Sequence, residues 1–403
     1  MAEDISPHGP HHLTLWKRNS WHWYIDDSIE LPMTAGQGEG KMDKRAKTLR
    51  RAAVTLTAAL AISVGAGASA FAAQPGEDAE WHYQYDHGER VESNGGMTEA
   101  HDANGNLVQA WRGYSDNAIY VAANNGAIYR WPANANGGAA TTYATPQIVA
   151  TDYGFRVYHT GTDGRIYYAG LTINAGQVGL LGSWRTVPGV ITRNNMAPAV
   201  TAMPRGESVY LAYHGATSDQ VYGAFFNGFG DDRYNTGWQA PRAIPGVFSP
   251  TAPSIAYNNS WNHLVLTWAG TDLQVNYSTQ LYGSAYWSTP RQIVGVSTQN
   301  SPTVALTDNG AGQIAVTPWV NDGGTWGTDG GGQIITIRSD GSQPAGVRVE
   351  GGWTTVTGAP DPDAHGGELE PGSLHLVNHG VSLVMLGVVW SDALNVWKGS
   401  GRY

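Results

Sequence analysis

The stretch that decides the fold runs Tyr158-His-Thr-Gly-Thr-Asp-Gly-Arg-Ile-Tyr167, and the chain repeats its plan. An aromatic residue precedes a Ser/Thr-Asp pair, and a strand of alternating β-branched and aromatic residues usually follows. The pair occurs six times, as Ser115-Asp116, Thr162-Asp163, Ser218-Asp219, Thr271-Asp272, Thr328-Asp329 and Ser391-Asp392. The copies recur about every 50 residues, a period that predicts a propeller or a solenoid.

Two further signals complete the repeat. One is a tryptophan strand that ends in a Pro/Gly turn, as in Trp184-Arg-Thr-Val-Pro-Gly189. The other is a strand that begins at proline, as in Pro198-Ala-Val200, where no ladder donor is needed. Together with the strands on either side of the Ser/Thr-Asp turn, these give four antiparallel strands per repeat. The sequence therefore predicts an all-β fold, a β-propeller of about six four-stranded blades, or seven if a long insertion hides strands.

The two ends of the repeat array complement each other. The last repeat, near 367–403, has three strand patterns and then stops. Ahead of the first repeat, Trp81-His-Tyr-Gln-Tyr85 and Glu89-Arg-Val-Glu92 have the pattern of a lone fourth strand. We therefore expect this N-terminal strand to complete the C-terminal blade and to close the ring, because an open ring would expose strand edges.

The first part of the chain has the pattern of an export signal. Basic residues precede an apolar run over 52–66, and small residues follow it. We predict a signal peptide over 42–72, a non-native or disordered extension over 1–41, and a single β-propeller domain over 79–403. The protein would then be secreted and extracellular. A membrane anchor is the alternative, although the apolar run is short for a span.

The composition limits the classes of partner. The formal net charge is −10 and the sequence has no basic stripe, which argues against nucleic acid and anionic membranes as partners. The chain has no cysteine and therefore no thiolate metal site. An acidic surface suits neutral sugars, whose hydroxyl groups donate hydrogen bonds to carboxylates. The oligomeric state is left open.

Several of these motifs carry a family resemblance. Gly161-Thr-Asp-Gly-Arg-Ile-Tyr167, Gly182-Ser-Trp184 and Trp268-Ala-Gly-Thr-Asp272 resemble the repeat of secreted bacterial and fungal β-propeller lectins of the fucose-binding kind. The Trp-x-x-Pro endings are similar to those of the wider sialidase-like propellers. The resemblance covers about 80–403 and implies sugar binding at shallow sites between adjacent blades. The Asp-box sequence of sialidases is absent before the fourth strands, and the repeats are unequal in length.

The tryptophans of the fourth strands are the candidate ligand-binding residues. Their rings are broad and rigid, so they can stack on the C–H faces of a sugar. We predict this role for Trp81, Trp184, Trp238, Trp287, Trp353 and, in a predicted loop, Trp326. Packing between blades is the alternative interpretation of the repeated tryptophans.

Carboxylates occur in two settings. The six repeated aspartates lie at tight turns, where a carboxylate accepts hydrogen bonds from nearby backbone N–H groups, so we interpret them as turn residues. Asp361, Asp363 and Glu368 instead cluster in a segment that belongs to no repeat. Clustered carboxylates suit Ca²⁺, and a carboxylate pair suits glycoside hydrolysis. A solvated acidic loop is the third interpretation.

Two functions fit this sequence. The first is a secreted, lectin-like protein that recognises neutral sugars at repeated sites between blades and gains strength from multivalency. It needs no catalytic residue and no cofactor, with Ca²⁺ as the one open candidate, and its partner is a carbohydrate or glycoconjugate. The alternative is a secreted glycoside hydrolase of sialidase-like architecture, with a site near Asp361, Asp363 and Glu368. A protein-binding scaffold is a third hypothesis.

Overall fold

A computed structural model gives the fold of this chain. It describes residues 85–86, 89–90, 93–124, 127–131, 140–174, 176–204, 208–228, 237–307, 311–317, 332–339, 346–355, 368–369, 374–379, 382–390 and 397–402. All of them belong to one compact unit, Ala70–Tyr403. Within these ranges, no helix has the length and apolar character needed to cross a membrane.

Six four-stranded antiparallel sheets follow one another along the chain, and we number them blades 1 to 6. Blade 1 contains β3 (Ser93–His101), β4 (Leu107–Gly113), β5 (Ile119–Ala123) and β6 (Ile128–Arg130). Blade 2 contains β7 (Gln147–Thr151), β8 (Gly154–Thr160), β9 (Arg165–Asn174) and β10 (Gln177–Ile191). Blade 3 contains β11 (Ala199–Ala202), β12 (Val209–His214), β13 (Gln220–Phe226) and β14 (Arg242–Phe248).

The other three blades complete the set. Blade 4 contains β15 (Ser254–Asn258), β16 (His263–Ala269), β17 (Gln274–Leu281) and β18 (Arg291–Ser297). Blade 5 contains β19 (Thr303–Leu306), β20 (Ala311–Val316), β21 (Gln333–Ser339) and β22 (Val347–Thr355). Blade 6 contains β23 (Glu368–Leu369), β24 (His375–His379), β25 (Ser382–Trp390) and β26 (Trp397–Arg402). The predicted all-β propeller with about six blades is confirmed. Blades 1 to 5 have the predicted four strands side by side, whereas in blade 6 β23 and β24 both pair along one edge of β25 and β26 pairs along the other.

The strands of blades 1 to 5 pair in chain order, so each blade is an up-and-down sheet. The burial of each strand follows from its position in the blade. The second strand of blade 4, His263–Ala269, is buried along its whole length, because neighbouring blades cover both of its faces. The fourth strand of blade 3, Arg242–Phe248, is mostly exposed. It contains Pro245, which an outer edge strand tolerates because no further strand needs its N–H.

The first strands of the blades lie at the centre. Each contacts the first strand of the next blade, and β24 of blade 6 contacts β3 of blade 1. Side-chain hydroxyl groups link these strands by accepting hydrogen bonds from backbone N–H groups of the next blade. The links are Thr201 with Tyr257 at 3.1 Å, Ser254 with Val304 at 3.1 Å, and Thr303 with Leu376 at 3.0 Å.

The segment ahead of blade 1 was expected to supply a fourth strand to blade 6. In its described residues, β1 (Tyr85–Asp86) pairs antiparallel with β2 (Glu89–Arg90) in a separate two-stranded sheet. In blade 6, β25 pairs with β23 and β24, and it also pairs with β26. Closure of the ring by an N-terminal strand therefore stays a prediction.

Four of the six Ser/Thr-Asp turns lie in the described residues, where they join the second and third strands of their blades; Asp329 and Asp392 lie outside the described residues. In blade 2, Asp163 accepts a hydrogen bond from the backbone N–H of Arg165 at 3.1 Å and another from the Tyr167 hydroxyl at 2.8 Å. Asp116 and Asp272 likewise accept from the N–H two residues later. Their interpretation as turn residues is confirmed.

Asp219 departs from this pattern, because the pair lies one residue later in the turn of blade 3. The side chain that faces the turn glycine, Gly215, is therefore Ser218. Asp219 instead lies 3.1 Å from Nη2 of Arg193 and 3.4 Å from Nε2 of the buried His214. The four described pairs, which look alike in the sequence, are thus not equivalent in space.

Candidate functional site

Four of the six candidate tryptophans lie in the described residues, and each contacts the preceding blade. Trp184 lies in β10, and its ring centroid is 4.5 Å from that of Trp131 of blade 1 and 4.5 Å from that of His159. Burial lowers the pKa of His159 to about 4, so the imidazole is neutral in this packed cluster. Trp81 and Trp326 lie outside the described residues.

Trp238 fills the interface between blades 2 and 3. Its ring lies 5.8 Å from Tyr168 of blade 2 and 5.4 Å from Phe226 of its own blade. The guanidinium carbon of Arg156 lies 4.7 Å from the Phe226 ring, a cation–π contact. Tyr168 and Phe226 are buried, so this interface is closed.

Trp353 covers the outer edge of the interface between blades 4 and 5. Its indole N–H donates a hydrogen bond to the Val294 carbonyl oxygen at 3.0 Å. The ring lies over Gly295, whose φ of 108° places it in the region that favours glycine. In this arrangement, Trp353 packs on the preceding blade.

Trp287 borders an open pocket between blades 3 and 4. Its indole N–H donates to the Tyr210 hydroxyl at 3.3 Å, and the two rings meet edge to face at 5.8 Å. The pocket has a volume of about 550 Å³, within the roughly 300–1,000 Å³ of small-molecule sites. We call it the blade 3/4 pocket; its lining includes Tyr210, Gln239, Arg242, Gln280, Tyr282 and Trp287.

Two matched positions explain why this pocket is open. Strand pairing places Tyr168 of blade 2, Gly223 of blade 3 and Tyr277 of blade 4 at equivalent places, each opposite an arginine of the fourth strand. Pairing between the second and third strands likewise matches Phe226 of blade 3 with Gln280 of blade 4. The blade 3/4 pocket therefore has a glycine and an amide where the closed interface between blades 2 and 3 has two aromatic rings.

Tyr210 occupies part of the space that Gly223 leaves. A Cβ atom on Gly223 would collide with the Tyr210 hydroxyl, so glycine is required while the phenol lies there. Burial raises the pKa of Tyr210 to about 12, and the phenol therefore keeps its proton at neutral pH. Its oxygen accepts the Trp287 N–H, and its own O–H is a donor at the pocket wall.

Besides hydroxyl groups and the Trp287 indole, the polar groups of the blade 3/4 pocket include amides and one guanidinium. Gln280 donates to the Ser284 carbonyl oxygen at 2.8 Å, which fixes the orientation of its amide. Gln239 and Arg242 are exposed at the pocket and come from the segment that leads into β14 and from its first residue. The lining contains no carboxylate side chain among the residues that the structure describes.

A second cavity lies at the centre, enclosed by the first strands of all six blades. Its volume is about 290 Å³. Glu99 is the carboxylate of its described lining; it accepts a hydrogen bond from Gln109 at 3.0 Å and lies 3.6 Å from Nε2 of His101. His375, on the blade 6 side, has its pKa lowered to about 4 by burial.

Most of the acidic segment that contains Asp361, Asp363 and Glu368 lies outside the described residues. Asp361 and Asp363 lie outside the described residues, and for Glu368 the structure gives its place in β23. In the described ranges, no group of three or more His, Cys, Asp or Glu side chains is arranged to hold a metal ion. The calcium site and the catalytic pair therefore stay predictions.

The sequence analysis missed most of the blade 3/4 pocket. It identified Trp287 but not Tyr210, Gly223, Arg242 or Gln280. The signal that could have found them is a departure from the repeat, since Gly223 stands where blades 2 and 4 have a tyrosine and Gln280 stands where blade 3 has Phe226. That alignment requires the strand register, which the unequal repeats conceal.

Comparison with family models and with curated proteins gives no match for this sequence. Among solved structures, the chain is similar to an α-L-arabinanase of Penicillium chrysogenum complexed with arabinobiose, at 13% identity, over 81% of this chain and 97% of that chain, with a TM-score of 0.50. It is also similar to a GH93 α-L-arabinofuranosidase of Fusarium graminearum with arabinobiose, at 12% identity, over 81% of this chain and 97% of that chain, with a TM-score of 0.50. The Aleuria aurantia lectin is similar at 13% identity, over 77% of this chain and 94% of that chain, with a TM-score of 0.44. The first two likenesses support the propeller fold.

Proposed function

We propose that this protein is a secreted carbohydrate-binding propeller without catalytic activity, and that it binds a saccharide in the blade 3/4 pocket. The observation that carries the proposal is the pairing of Trp287 and Tyr210 with the amide of Gln280 and the guanidinium of Arg242 around one open cavity. Aromatic surface and fixed polar groups are the two components of a small-ligand site.

The chemistry of a sugar matches this lining. One face of a pyranose ring presents C–H groups, which pack on an aromatic ring, and its hydroxyl groups both donate and accept hydrogen bonds. The Tyr210 hydroxyl, the Gln280 amide and the Arg242 guanidinium offer donors, and the amide oxygen of Gln280 offers an acceptor. The pocket volume of about 550 Å³ is sufficient for a ligand of small-molecule size.

The proposal gives one interface the leading role. Trp184 and Trp238 pack in closed clusters with Trp131, His159 and Phe226, which supports a structural role for these two tryptophans. Repeated binding at equivalent sites stays a prediction. The stoichiometry of binding tests it, since a single site gives one saccharide per chain.

Binding without catalysis is favoured by the chemistry of the pocket. Glycoside hydrolysis needs two carboxyl groups flanking the scissile bond. The described lining of the blade 3/4 pocket has no carboxylate, and that of the central cavity has Glu99 alone. No described feature therefore favours the hydrolase hypothesis.

The test is a glycan array of uronate-containing and neutral oligosaccharides, probed with the folded protein and followed by calorimetric titration of the glycans that bind. We expect binding with one site per chain and no release of reducing ends on incubation. The double variant Tyr210→Val/Gly223→Tyr, which closes the pocket, should abolish the signal. A folded sample that binds no glycan would overturn the proposal.

A further inference from the structure

We infer that the blade 3/4 pocket selects saccharides that carry a carboxylate, as in a uronic acid unit, and that Arg242 binds this group. The inference rests on the proposed function and adds the chemical class of the ligand. It departs from the neutral sugars that the acidic composition of the chain favours, because the charge of this pocket is opposite to that of the protein.

The charge of the pocket comes from one residue. Arg242 is the charged side chain of the described lining, in a chain whose formal net charge is −10. It has no hydrogen-bond or ion-pair partner within the described residues. A guanidinium without a protein carboxylate has all of its donors available to a ligand.

Two arginines elsewhere in the chain show the alternative, an ion pair with a carboxylate of the chain. Arg130 lies 3.0 Å from Asp116, and Arg193 lies 3.1 Å from Asp219. In both pairs, a carboxylate of the chain already forms an ion pair with the guanidinium. Carboxylates thus pair with several arginines of this acidic protein but with neither Arg242 nor Arg291 among the described residues, and at Arg242 a ligand carboxylate would complete the same type of pair.

The strand pairing places Arg242 beside the open space of the pocket. The Arg242 backbone pairs with Gly223 across β13 and β14, and Gly223 is the residue whose missing side chain opens the space. Trp287 and Gln280 border the same pocket from blade 4. A sugar on the indole could therefore direct a ring carboxylate at Arg242, whose planar fork matches a carboxylate with two parallel hydrogen bonds.

Blade 4 offers a matched control. Arg291 occupies the place equivalent to Arg242, opposite Tyr277, and is exposed. It does not belong to the described lining of the blade 3/4 pocket. Arg291→Gln removes the same charge from the same protein at an equivalent strand position, so it controls for the change in net charge.

The experiment uses an array that carries uronate oligosaccharides beside their carboxyl-reduced, neutral counterparts. The array also carries glycans that have sulfate groups but no carboxylate. The full chain, Arg242→Gln and Arg291→Gln are compared on it, and tri-galacturonate and its reduced form are titrated by calorimetry. We expect the full chain and Arg291→Gln to prefer the uronate over its reduced form by about tenfold or more. Arg242→Gln should bring the ratio to near one, and added salt should weaken uronate binding in the full chain.

Four results would count against the inference. Equal binding of uronates and their reduced forms, or a preference that survives Arg242→Gln, would overturn the carboxylate assignment while leaving saccharide binding intact. A sulfated glycan bound more tightly than every uronate would assign Arg242 to a sulfate group and would also overturn it. Absence of all glycan binding by folded protein would overturn the proposed function and the inference with it.

Discussion

Two interfaces of the same propeller have the same strand plan and opposite character. Between blades 2 and 3, Tyr168 and Phe226 are buried, and Trp238 packs on both. Between blades 3 and 4, Gly223 and Gln280 hold the equivalent places, and the space becomes a pocket of about 550 Å³. A repeated fold can therefore form a pocket by replacing two aromatic residues with a glycine and a glutamine.

The comparison also separates stability from binding. A buried aromatic side chain stabilises a core by several kcal/mol, and the closed interfaces use this contribution. The open interface has less apolar contact, since a glycine and a glutamine replace two rings. We expect substitutions at closed interfaces to change mainly the free energy of unfolding, and substitutions at the open one to change mainly saccharide binding.

The largest effect should come from truncating the tryptophan of the closed interface. Trp238→Ala removes a ring that contacts Tyr168 and Phe226 and should lower the free energy of unfolding by about 3–5 kcal/mol. The matched variant Trp287→Ala should cost less, because the pocket lies against this ring. Urea unfolding of both variants checks the order. Equal losses would break the distinction between the two interfaces.

The second-largest effect should come from acid, which should weaken the closed interface between blades 1 and 2. Burial lowers the pKa of His159 to about 4, against 6.5 for an exposed histidine. The unfolded state then binds the proton more readily, so stability is complete above pH 6.5 and falls as the pH drops towards 4. At about 1.4 kcal/mol per pKa unit, the loss is about 3 kcal/mol for this group.

His159→Gln tests the source of that slope. The variant should unfold with a shallower dependence on pH between 6.5 and 4 than the unchanged protein, as followed by thermal unfolding. Part of the slope should remain, because burial also lowers the pKa of His375 to about 4. If the dependence of stability on pH were unchanged in the variant, His159 would not be a source of that dependence.

Closing the open interface should abolish binding at smaller cost to folding. Tyr210→Val/Gly223→Tyr recreates the Val265 and Tyr277 arrangement of blade 4, so the shapes remain compatible. We expect glycan binding to weaken by more than about 30-fold, which corresponds to about 2 kcal/mol, with unfolding changed by less than about 1.5 kcal/mol. Binding that survives in a folded double variant would move the site elsewhere.

The smallest effect should come from filling the pocket from blade 4. Gln280→Phe places at blade 4 the residue that Phe226 provides at blade 3, and it replaces a buried amide with apolar surface. We expect a gain in unfolding free energy of about 1 kcal/mol together with weaker glycan binding. Calorimetric titration beside chemical unfolding measures both, and a destabilised variant with full affinity would contradict the comparison.

The sequence predicted the parts of this protein that repeat. The Ser/Thr-Asp turns and the proline-initiated strands predicted about six blades, because turn chemistry is local and recurs at Asp116, Asp163 and Asp272. Prediction of the site was poorer. All of the fourth-strand tryptophans looked alike, yet Trp238 is packed in a closed cluster and Trp287 borders a pocket.

Register explains where the local signals misled. Asp219 belongs to a Ser/Thr-Asp pair, but its turn is shifted by one residue, so Ser218 faces Gly215 and Asp219 contacts Arg193. A shift of one residue changes which side chain faces a neighbour, and spacing alone does not reveal it when the repeats differ in length.

Strand patterns and turns by themselves determined the propeller, because alternation and turn chemistry are local properties of the chain. The tertiary structure decided which interface is open. That outcome depends on residues far apart in sequence, Gly223 with Tyr210 in blade 3 and Gln280 with Trp287 in blade 4, whose side-chain volumes meet only after the blades pack. Volume left unfilled between two sheets is a property of the pair of sheets, and no single strand encodes it.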